Sequence, residues 1–307
     1  MPKTEWLENI ISSKKFIILV NPQGGTKQGL DLLEQVKPLF KEVDADLIIR
    51  ETEYAGHATE IAREIDLEGF TGLCHIGGDG TFHEIINGLL TRSDGKQVPL
   101  GFIPGGTGNS FMHDMECLDP VEAARRIVSG GITPIDVAEV EMPEEKVYCM
   151  NIVGWGMVTD INMSAEKLRW LGEQRYNVTT LLHVMKLKRR SAKLVIEREV
   201  SEGDFLFTIA CNTQHTGRGM KMAPKAELND GLIDLVLVRD ASRFKLLQMF
   251  PKVFDGTHID DPIVEYYQVK EFSITPAENE ILNLDGELKG STPFSVRMIP
   301  SAFSVFA

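Results

Sequence analysis

The segment LCHIGGDGTFHEIINGLL, residues 73–90, decides the fold class of this chain of 307 residues. A short apolar run at 73–76 leads into a glycine-rich turn at 77–81, and apolar residues then follow at helical spacing as far as Leu90. This order predicts a buried strand, a tight loop and a helix, because a parallel strand covered on both faces reads as an unbroken apolar run. Such a strand–loop–helix unit is typical of α/β proteins.

The same unit recurs on both sides of this segment. Short apolar runs at 16–20, 47–49 and 100–103 predict three more buried strands. Apolar residues at helical spacing predict helices that alternate with them, at 29–40, 57–65, 82–90 and 121–128. Four strands alternating with helices indicate a parallel sheet with helices on both faces.

After Gly130 and Gly131 the pattern changes to short strands joined by polar turns. Helical stretches are predicted only at 165–187 and 242–254. The predicted strands are 135–140, 147–153, 193–199, 205–211, 232–238, 265–274 and 294–299. We therefore expect an α/β domain over residues 1–133 and a β-rich, mostly antiparallel domain over residues 134–307, whose last strand is free to return to the first domain.

Composition narrows the class of function. The formal net charge of −13 argues against a nucleic-acid binder, which needs a concentrated basic surface. The four cysteines, Cys74, Cys117, Cys149 and Cys211, are scattered without a CxxC pair, which fits neither a zinc site nor a disulfide framework. No apolar run reaches the length of a membrane span or a signal-peptide core, so we expect a cytoplasmic protein without a transmembrane segment.

Three glycine-containing loops each follow a predicted strand, at 21–25, 77–81 and 104–109. Ligands of open α/β sheets bind at the carboxyl ends of the strands, where glycine lets backbone N–H groups approach phosphate oxygens. The loops contain neither a Walker A sequence nor a GxGxxG fingerprint. Asp79 in the middle loop offers the carboxylate that phosphoryl transfer uses to orient or deprotonate the nucleophile. The three loops therefore predict a phosphate site suited to phosphoryl transfer.

These loops also carry a resemblance to a known family. GGDGT at 77–81, followed by Glu84 and by Asn87-Gly88-Leu89, resembles the signature of the diacylglycerol kinase catalytic-domain family of lipid kinases. IPGGTGN at 103–109 resembles the second nucleotide loop of that family, and NPQGG at 21–25 resembles the first.

Within the family the chain is most similar to sphingosine kinases, which are long-chain-base kinases. The likeness lies in Trp155-Gly156 and in EKLRWLGE at 166–173. The resemblance covers essentially the whole chain. It implies a Rossmann-like nucleotide domain of the NAD-kinase and diacylglycerol-kinase type, followed by an antiparallel β-sandwich domain.

The resemblance implies a role for individual residues. Asp79 matches the catalytic base that takes the proton of a lipid hydroxyl, and Glu287 matches a rival candidate for that base. Asp285 matches an acid near the metal and the phosphates, and Asp230 matches a structural magnesium site. The remaining matches surround the nucleotide: Asn21, Gly24, Gly25, Thr52, Gly77, Gly78, Gly80, Thr81, Glu84, Gly106, Thr107, Asn109, Arg169 and Arg175. ATP and Mg²⁺ are the cofactors that this set implies.

The resemblance also implies a lipid site. Tyr176, Phe250, Val253 and His258 match residues that line the lipid tunnel, while Asp160 and Asn162 match the head-group region. Sphingosine kinases have a carboxylate at the position of Asn162 and a hydroxyl at the position of Ile152. A carboxylate pairs well with a cationic amine, whereas an amide offers only neutral hydrogen bonds. We therefore expect weak discrimination between sphingoid bases and uncharged lipids, with Asp160 compensating in part.

The activity implied is transfer of the γ-phosphoryl group of ATP to the hydroxyl of a membrane lipid. A sphingoid long-chain base is the first substrate to consider, and diacylglycerol or ceramide is the alternative. A soluble-metabolite kinase similar to NAD kinase is a more distant alternative. The expected partner is a lipid at a membrane surface, reached by peripheral association, and a homodimer is compatible with the sequence.

One predicted helix has two interpretations. Leu181, Leu182 and Met185 share one helical face, and a basic cluster at 186–190 follows them. An apolar face next to basic residues suits docking on an anionic membrane. The sequence is equally compatible with an ordinary amphipathic helix that packs against the β-rich domain.

Overall fold

The computed structural model describes residues 14–25, 27–217 and 219–307, apart from the side chains of Arg169 and Glu173. In the first half, the four predicted strands are β1 (Lys15–Val20), β2 (Asp46–Glu51), β3 (Gly72–Gly77) and β4 (Leu100–Pro104). They are parallel to one another and lie in the order β2-β1-β3-β4. The predicted parallel sheet is therefore confirmed.

Helices cover both faces of this sheet. They are α1 (Gly29–Glu42), α2 (His57–Glu64), α3 (Asp79–Leu90), α4 (Ser110–Asp114) and α5 (Pro120–Ser129). Successive residues of β1 face opposite helical layers: Ile17 and Leu19 pack in the core cluster with α2 and α3, whereas Phe16 and Ile18 pack in the cluster with α1 and α5. This two-sided burial explains why the strands read as unbroken apolar runs.

The second half contains most of the strands. They are β5 (Ile132–Glu141), β6 (Lys146–Cys149), β7 (Ile152–Gly156), β8 (Arg190–Ile196), β9 (Glu199–Phe205), β10 (Phe207–Cys211), β11 (Ile233–Val238), β12 (Val264–Val269), β13 (Glu271–Pro276), β14 (Ile281–Leu284), β15 (Glu287–Ser291) and β16 (Phe294–Phe306). The helices are α6 (Met157–Lys167), α7 (Arg175–Lys186) and α8 (Arg243–Met249). Short 3₁₀ turns lie at Arg169–Gln174, Phe250–Val253 and Thr257–Asp260.

These strands form two packed layers in the described part of the chain. One is an antiparallel sheet in the order β12-β11-β10-β7-β14-β15. The other comprises β16, β13, β8 and β9, with β5 and β6 attached at β16. Trp155 and Leu235 from the first sheet share a core with Leu194 and Phe272 from the second. The predicted antiparallel β-sandwich is thus confirmed.

The last strand joins the two halves of the chain. β16 pairs in parallel with β4 through Val305 and Leu100, and antiparallel with β5 along most of its length. The parallel sheet therefore continues into the sandwich without an edge at β4. The expected boundary at residue 133 falls within β5, and the division into 1–133 and 134–307 stays a prediction.

The helices α6, α7 and α8 pack on the outer face of the six-stranded sheet. Met157 and Val184 share a core cluster there with Val236 of β11 and Leu246 of α8. None of the helices in the described ranges is long and apolar enough to cross a membrane.

Candidate active site

A polar cavity of about 490 Å³ lies at the carboxyl ends of β1, β2, β3 and β4. It collects side chains and backbone from all three glycine loops. Its lining comprises Asn21, Gln23, Gly24, Gly25, Thr52, Glu53, Tyr54, Ala55, Gly78, Asp79, Gly80, Thr81, Glu84, Gly106, Thr107, Gly108, Tyr176, Asp285 and Glu287. Most of the residues predicted to surround a nucleotide therefore meet in one place.

Glycine is required where the three loops touch. A Cβ atom added to Gly106 would lie 2.5 Å from Cα of Gly78, and one added to Gly25 would lie 2.8 Å from the carbonyl oxygen of Gly105. Gly25 also has a φ of +52°, which side chains rarely adopt. The loops thus pack backbone against backbone, which keeps their N–H groups accessible to a phosphate.

Four of the predicted nucleotide residues are joined in pairs by hydrogen bonds within these loops. Nδ2 of Asn21 donates to Oγ1 of Thr81 at 3.1 Å. Asn109 closes a ring with Gly106: its Oδ1 accepts from the Gly106 N–H at 3.1 Å, and its Nδ2 donates to the Gly106 carbonyl at 3.0 Å. Asn109 therefore supports the loop from behind and is not part of the cavity lining among the described residues.

Two further predicted residues act on the backbone. The Gly77 carbonyl accepts a hydrogen bond from the Gly105 N–H at 2.7 Å, which ties the loop at 77–81 to the loop at 104–109. Glu84 lines the polar cavity, but its carboxylate accepts from the N–H groups of Gly56 at 2.8 Å and Ala58 at 3.1 Å. Glu84 thereby holds the start of α2 beside the cavity.

An apolar cavity of about 650 Å³ adjoins the polar one. Its walls come from α6, α7, α8 and the outer face of the six-stranded sheet. Its apolar lining comprises Ile152, Met157, Val158, Ile161, Val184, Phe207, Ile209, Met220, Met222, Leu246, Met249, Phe250, Val253 and Phe254. A space of this size and character suits a long hydrocarbon chain.

The two cavities meet at a small set of shared residues. Asp79, Thr107, Gly108, Tyr176 and Asp285 line both of them. A ligand in the polar cavity and a second ligand in the apolar cavity would therefore approach each other beside two carboxylates. This is the geometry needed for transfer of a group between two bound molecules.

Asp79 is the first residue of α3, and backbone N–H groups hold its carboxylate in place. Oδ2 accepts from the Ser110 N–H at 2.7 Å, and Oδ1 accepts from the Phe111 N–H at 3.2 Å, both at the start of α4. Burial raises the pKa of Asp79 and the charge of Asp285 adds to this, so that these effects outweigh the opposing hydrogen bonds. A carboxyl group with a raised pKa is a better proton acceptor once it is ionised.

Comparison with known proteins agrees with this geometry. A family model described as the diacylglycerol kinase catalytic domain matches residues 15–140. A second, described as the YegS C-terminal NAD kinase beta sandwich-like domain, matches residues 151–307. Residues 15–140 belong to the diacylglycerol kinase catalytic-domain family, and residues 151–307 belong to the YegS C-terminal domain family. The chain is a lipid kinase, and membership of a kinase family implies ATP as the phosphoryl donor.

Relatives of this lipid kinase include enzymes of two substrate types. The chain is 29% identical to sphingosine kinase 1 of Arabidopsis thaliana, over 90% of this chain and 68% of that protein. It is also 29% identical to diacylglycerol kinase of Bacillus subtilis, over 91% of this chain and 92% of that protein. A crystal structure from Bacillus anthracis, assigned as a diacylglycerol kinase, matches with a TM-score of 0.80 at 25% identity, covering 96% of this chain and 97% of that chain.

Asp285 of the lipid kinase lies in the turn between β14 and β15, with its side chain fully buried. Oδ1 accepts from the N–H groups of Asn151 and Ile152, each at 2.8 Å. Oδ2 accepts from the Met150 N–H at 3.0 Å and lies 2.8 Å from Nδ1 of His83. Four hydrogen bonds occupy the lone pairs of this carboxylate, so it would bind a metal only by releasing one of them.

Glu287 and Arg175 occupy different sides of the kinase site. Glu287 is exposed at the start of β15 and lines the polar cavity, with Oε1 3.7 Å from where a Cβ of Gly80 would lie. Arg175, predicted at the nucleotide phosphates, lines the apolar cavity instead, with Nη1 3.8 Å from Oε1 of Glu166. The side chain of Arg169 lies outside the described residues.

The predicted lipid residues divide into two groups. Tyr176, Phe250, Val253 and Asn162 line the apolar cavity of the kinase, as expected. Nδ2 of Asn162 donates to the Gly286 carbonyl at 2.7 Å, which links the head-group region to the turn that carries Asp285.

Asp160 and His258 are not among the described residues that line this cavity. Oδ2 of Asp160 accepts a hydrogen bond from Nη2 of the buried Arg190 on β8 at 2.6 Å. His258 is buried behind the cavity wall, where its Nε2 lies 3.0 Å from the carbonyl of Met222. His258 thus supports the lining residue Met222, and the lipid-site assignments of Asp160 and His258 stay predictions.

Asp230, the predicted structural magnesium ligand, lies in an exposed turn outside both cavities. Its Oδ1 accepts from the Leu232 N–H at 2.9 Å, so the carboxylate serves the turn. The buried Asp136, which the motifs did not indicate, fixes this turn: it accepts from the N–H groups of Gly231 at 2.6 Å and Ser301 at 2.7 Å. The metal assignment of Asp230 stays a prediction.

Two residues near the junction of the cavities were missed by sequence reasoning. His83 lies one turn after Asp79 on α3 and forms, with Cys149 and Asp285, a buried group whose ligand atoms lie within 4.8 Å of one another. Burial raises the pKa of the Cys149 thiol well above its usual range, which disfavours the thiolate that binds metals. Asn151 is buried and lines the apolar cavity. Its side-chain hydrogen bond to Asp79 partly offsets the rise in the pKa of Asp79 that burial causes.

Proposed function

We propose that this lipid kinase transfers the γ-phosphoryl group of Mg²⁺-bound ATP to a lipid hydroxyl, with Asp79 as the general base. The observation that carries the proposal is that Asp79 lines both the polar and the apolar cavity. ATP would occupy the polar cavity and the lipid the apolar one. The lipid hydroxyl would then lie between Asp79 and the γ-phosphate.

The choice of base rests on the hydrogen bonds of the acids at the junction. Each oxygen of Asp79 accepts one backbone N–H and the side chain of Asn151 adds a third hydrogen bond, which still leaves a lone pair for the proton of the lipid hydroxyl. The oxygens of Asp285 accept four hydrogen bonds between them. Glu287 lines the polar cavity, where the nucleotide would bind, but not the apolar cavity. Asp79 is therefore better placed than either to take the proton.

Glu287 fits a different role, as a ligand of the magnesium ion. Mg²⁺ prefers carboxylate and phosphate oxygens and keeps several waters. Glu287 is exposed to the polar cavity, whereas the carboxylates of Glu84 and Asp285 are engaged by backbone N–H groups. When bound, the ion would neutralise charge on the transferred phosphoryl group. The glycine loops would hold the remaining phosphate oxygens through their N–H groups.

Two substrates are supported by different observations. A sphingoid long-chain base is supported by similarity to sphingosine kinases, including sphingosine kinase 1 of Arabidopsis thaliana. An uncharged lipid such as diacylglycerol is supported by the apolar cavity, whose polar lining includes the amides of Asn151, Asn162 and Asn283. Asp79 and Asp285 are the carboxylates among the described lining residues of that cavity. A cationic amine would therefore compete with the reacting hydroxyl for Asp79.

The test is phosphorylation of a lipid panel with radiolabelled ATP and Mg²⁺, followed by identification of the labelled product. The panel contains sphingosine, diacylglycerol and ceramide in the same mixed micelles, with NAD as the soluble acceptor. Label in at least one lipid, and its loss in Asp79→Asn, is the expected result. Label in NAD alone would overturn the proposal.

A further inference from the structure

The helix α4 connects the proposed base to a loop of the β-rich half. The N–H groups of its first two residues, Ser110 and Phe111, hold the carboxylate of Asp79. The side chain of Phe111 is buried in the core of the α/β half, so α4 itself is fixed. The last residue of α4, Asp114, contacts the described residues of 213–222, which follow β10 and which we call the β10 loop.

Three hydrogen bonds join Asp114 to the β10 loop. Its Oδ2 accepts from the Gln214 N–H, and its Oδ1 accepts from the His215 N–H at 3.2 Å. Nδ1 of the His215 ring lies 2.6 Å from the same Oδ1. The Asp114 side chain is only 5% exposed, and its carboxylate makes these bonds stronger than bonds between neutral groups. They therefore fix the start of the β10 loop on α4.

The β10 loop then forms part of the wall of the apolar cavity. The described loop residues that line this cavity are Thr216, Gly217, Met220 and Met222. The Lys221 N–H donates to the carbonyl of Val253, a further lining residue, at 2.8 Å. Oγ of Ser110 also donates to the Gly217 carbonyl, at 3.4 Å. A displacement of the loop would therefore change the shape of the cavity beside a residue that holds Asp79.

We infer that Asp114 is a positioning residue of the kinase reaction, which holds the wall of the apolar cavity at a fixed distance from Asp79. This inference rests on the proposed function, because that function assigns the apolar cavity to the lipid and the proton transfer to Asp79. Asp114 is not among the described residues that line either cavity, so it acts through the β10 loop and not on the substrate. Misplacement of reacting groups by ~1 Å costs ~10²-fold in rate. Loosening the loop should therefore slow transfer to the lipid.

Steady-state kinetics of the full chain test this inference, with ATP, Mg²⁺ and either sphingosine or diacylglycerol in mixed micelles. Asp114→Asn keeps the size of the side chain but offers one oxygen to the three groups of the loop. We expect kcat to fall roughly tenfold or more and the KM of the lipid to rise. The KM of ATP should stay unchanged, because Asp114 does not line the polar cavity. The acidic limb of the kcat profile should also stay, because Ser110 and Phe111 still hold Asp79.

Two variants of His215 separate the ring contact from the backbone bonds. His215→Leu removes the ring nitrogen and leaves both N–H bonds to Asp114, so it should show the same changes at a smaller size. His215→Asn keeps a donor near the place of Nδ1 and should restore the KM of the lipid almost to the parent value.

The matched control is Asp119→Ala. It removes a bond between a carboxylate and the Glu122 N–H at the start of α5, a helix that contributes no described residue to either cavity. This variant should lower stability without changing the KM of the lipid.

An unchanged KM of the lipid in both Asp114→Asn and His215→Leu would overturn the inference, and so would a change of the same size in Asp119→Ala. A shift of the acidic limb in Asp114→Asn would also contradict it, because Asp114 would then support α4 and not the loop. If circular dichroism shows that Asp114→Asn is unfolded, the two His215 variants carry the test, since they keep the backbone bonds. Full activity of Asp79→Asn would count against the proposed function instead, and the KM of the lipid would still report on the loop.

Discussion

Nδ1 of His83 lies 2.8 Å from Oδ2 of Asp285, a contact between residues 202 positions apart in the sequence. His83 belongs to α3, the helix that begins with Asp79. Asp285 also holds the N–H groups of residues 150–152 at the start of β7. The contact therefore fixes the helix that carries the proposed base against the β-sandwich, at the point where the two cavities meet.

Replacing His83 should weaken this connection. His83→Phe removes one of the two partners of Oδ2 of the buried Asp285, which should lower the free energy of unfolding by ~1–3 kcal/mol. His83→Gln keeps a side-chain donor and should lose less. Urea unfolding of the three proteins at neutral pH measures the difference. Equal stability of His83→Phe and the parent would show that the contact contributes nothing.

Asp79→Asn should reduce kcat/KM for the lipid by ~10²–10⁴-fold, because it removes the proton acceptor. Asn offers one acceptor oxygen to the two N–H groups of Ser110 and Phe111, so circular dichroism and ATP binding should first establish that the variant is folded. Glu287→Gln is the matched control. If Glu287 binds Mg²⁺, raising the concentration of Mg²⁺ should restore part of its activity. Abolished turnover in Glu287→Gln with a loss below about tenfold in Asp79→Asn would move the base to Glu287.

The activity should also depend on pH through Asp79. Burial raises the pKa of this carboxyl, and the base works only when it is ionised. Activity should therefore decline on the acidic side at a pH above the ordinary value for Asp of about 3.9. The measurement is the pH profile of kcat with saturating ATP and lipid, limited to the range in which the protein stays folded. An acidic limb at or below the ordinary value would contradict the raised pKa.

A second buried carboxyl predicts how stability changes with pH. Asp234 on β11 accepts a hydrogen bond from the hydroxyl of Tyr266, while its Oδ2 is buried without a partner in the described structure. Burial raises the pKa of Asp234 to about 6. The folded state thus binds the proton more tightly than the unfolded state, so this group lowers stability as pH rises from about 4 to about 6.

Asp234→Asn removes that ionisation. We expect it to raise the free energy of unfolding by about 2 kcal/mol at pH 8, and the gain to vanish below about pH 4. Urea unfolding of the parent and the variant across this pH range, in metal-free buffer, measures both effects. A gain that is independent of pH would show that Asp234 is not the group responsible.

Asn162→Asp should shift the choice of substrate. A carboxylate near the head group gains a charge-assisted hydrogen bond to an amine, which corresponds to roughly tenfold or more in favour of sphingosine. It also loses the bond from Nδ2 to the Gly286 carbonyl, so kcat should fall for both lipids. Asn162→Ala loses the same bond without gaining charge and serves as the control. The measurement is kcat/KM for sphingosine and diacylglycerol in the same mixed micelles. A parent that already prefers sphingosine by more than about a hundredfold would show that Asn162 is not the selector.

The sequence predicts most of the fold because its central strands are unbroken apolar runs and its helices have apolar residues at helical spacing. β1 and β3 are buried on both faces and read directly as apolar runs. The helix α4 was missed because it has only five residues and begins after Asn109, whose φ is +50°. The strands β14 and β15 were not predicted, because they are only four and five residues long.

The site was predicted where it depends on loops and missed where it depends on long-range contacts. The glycine loops are contiguous in sequence and carry a recognisable pattern. The bond between His83 and Asp285 has no local signature. The start of α6 was also missed, because this helix begins at Met157, earlier than the predicted helical stretch at 165–187. Residues two apart on a helix point about 200° apart, so Asn162 faces the cavity while Asp160 faces Arg190.

The pairing of β16 with β4 has a consequence for how the protein is made. The four parallel strands lie within the first third of the chain and leave the ribosome early. The strand that pairs with β4 on the side away from β3 is formed by residues 294–306. Until those residues emerge, β4 is an open edge that can pair with other chains. Domains that are contiguous in sequence fold during synthesis, whereas this sheet completes its hydrogen bonding only after residues 294–306 have been synthesised. The nucleotide loops at its carboxyl edge would therefore reach their final geometry late, after the β-sandwich has formed around the same strand.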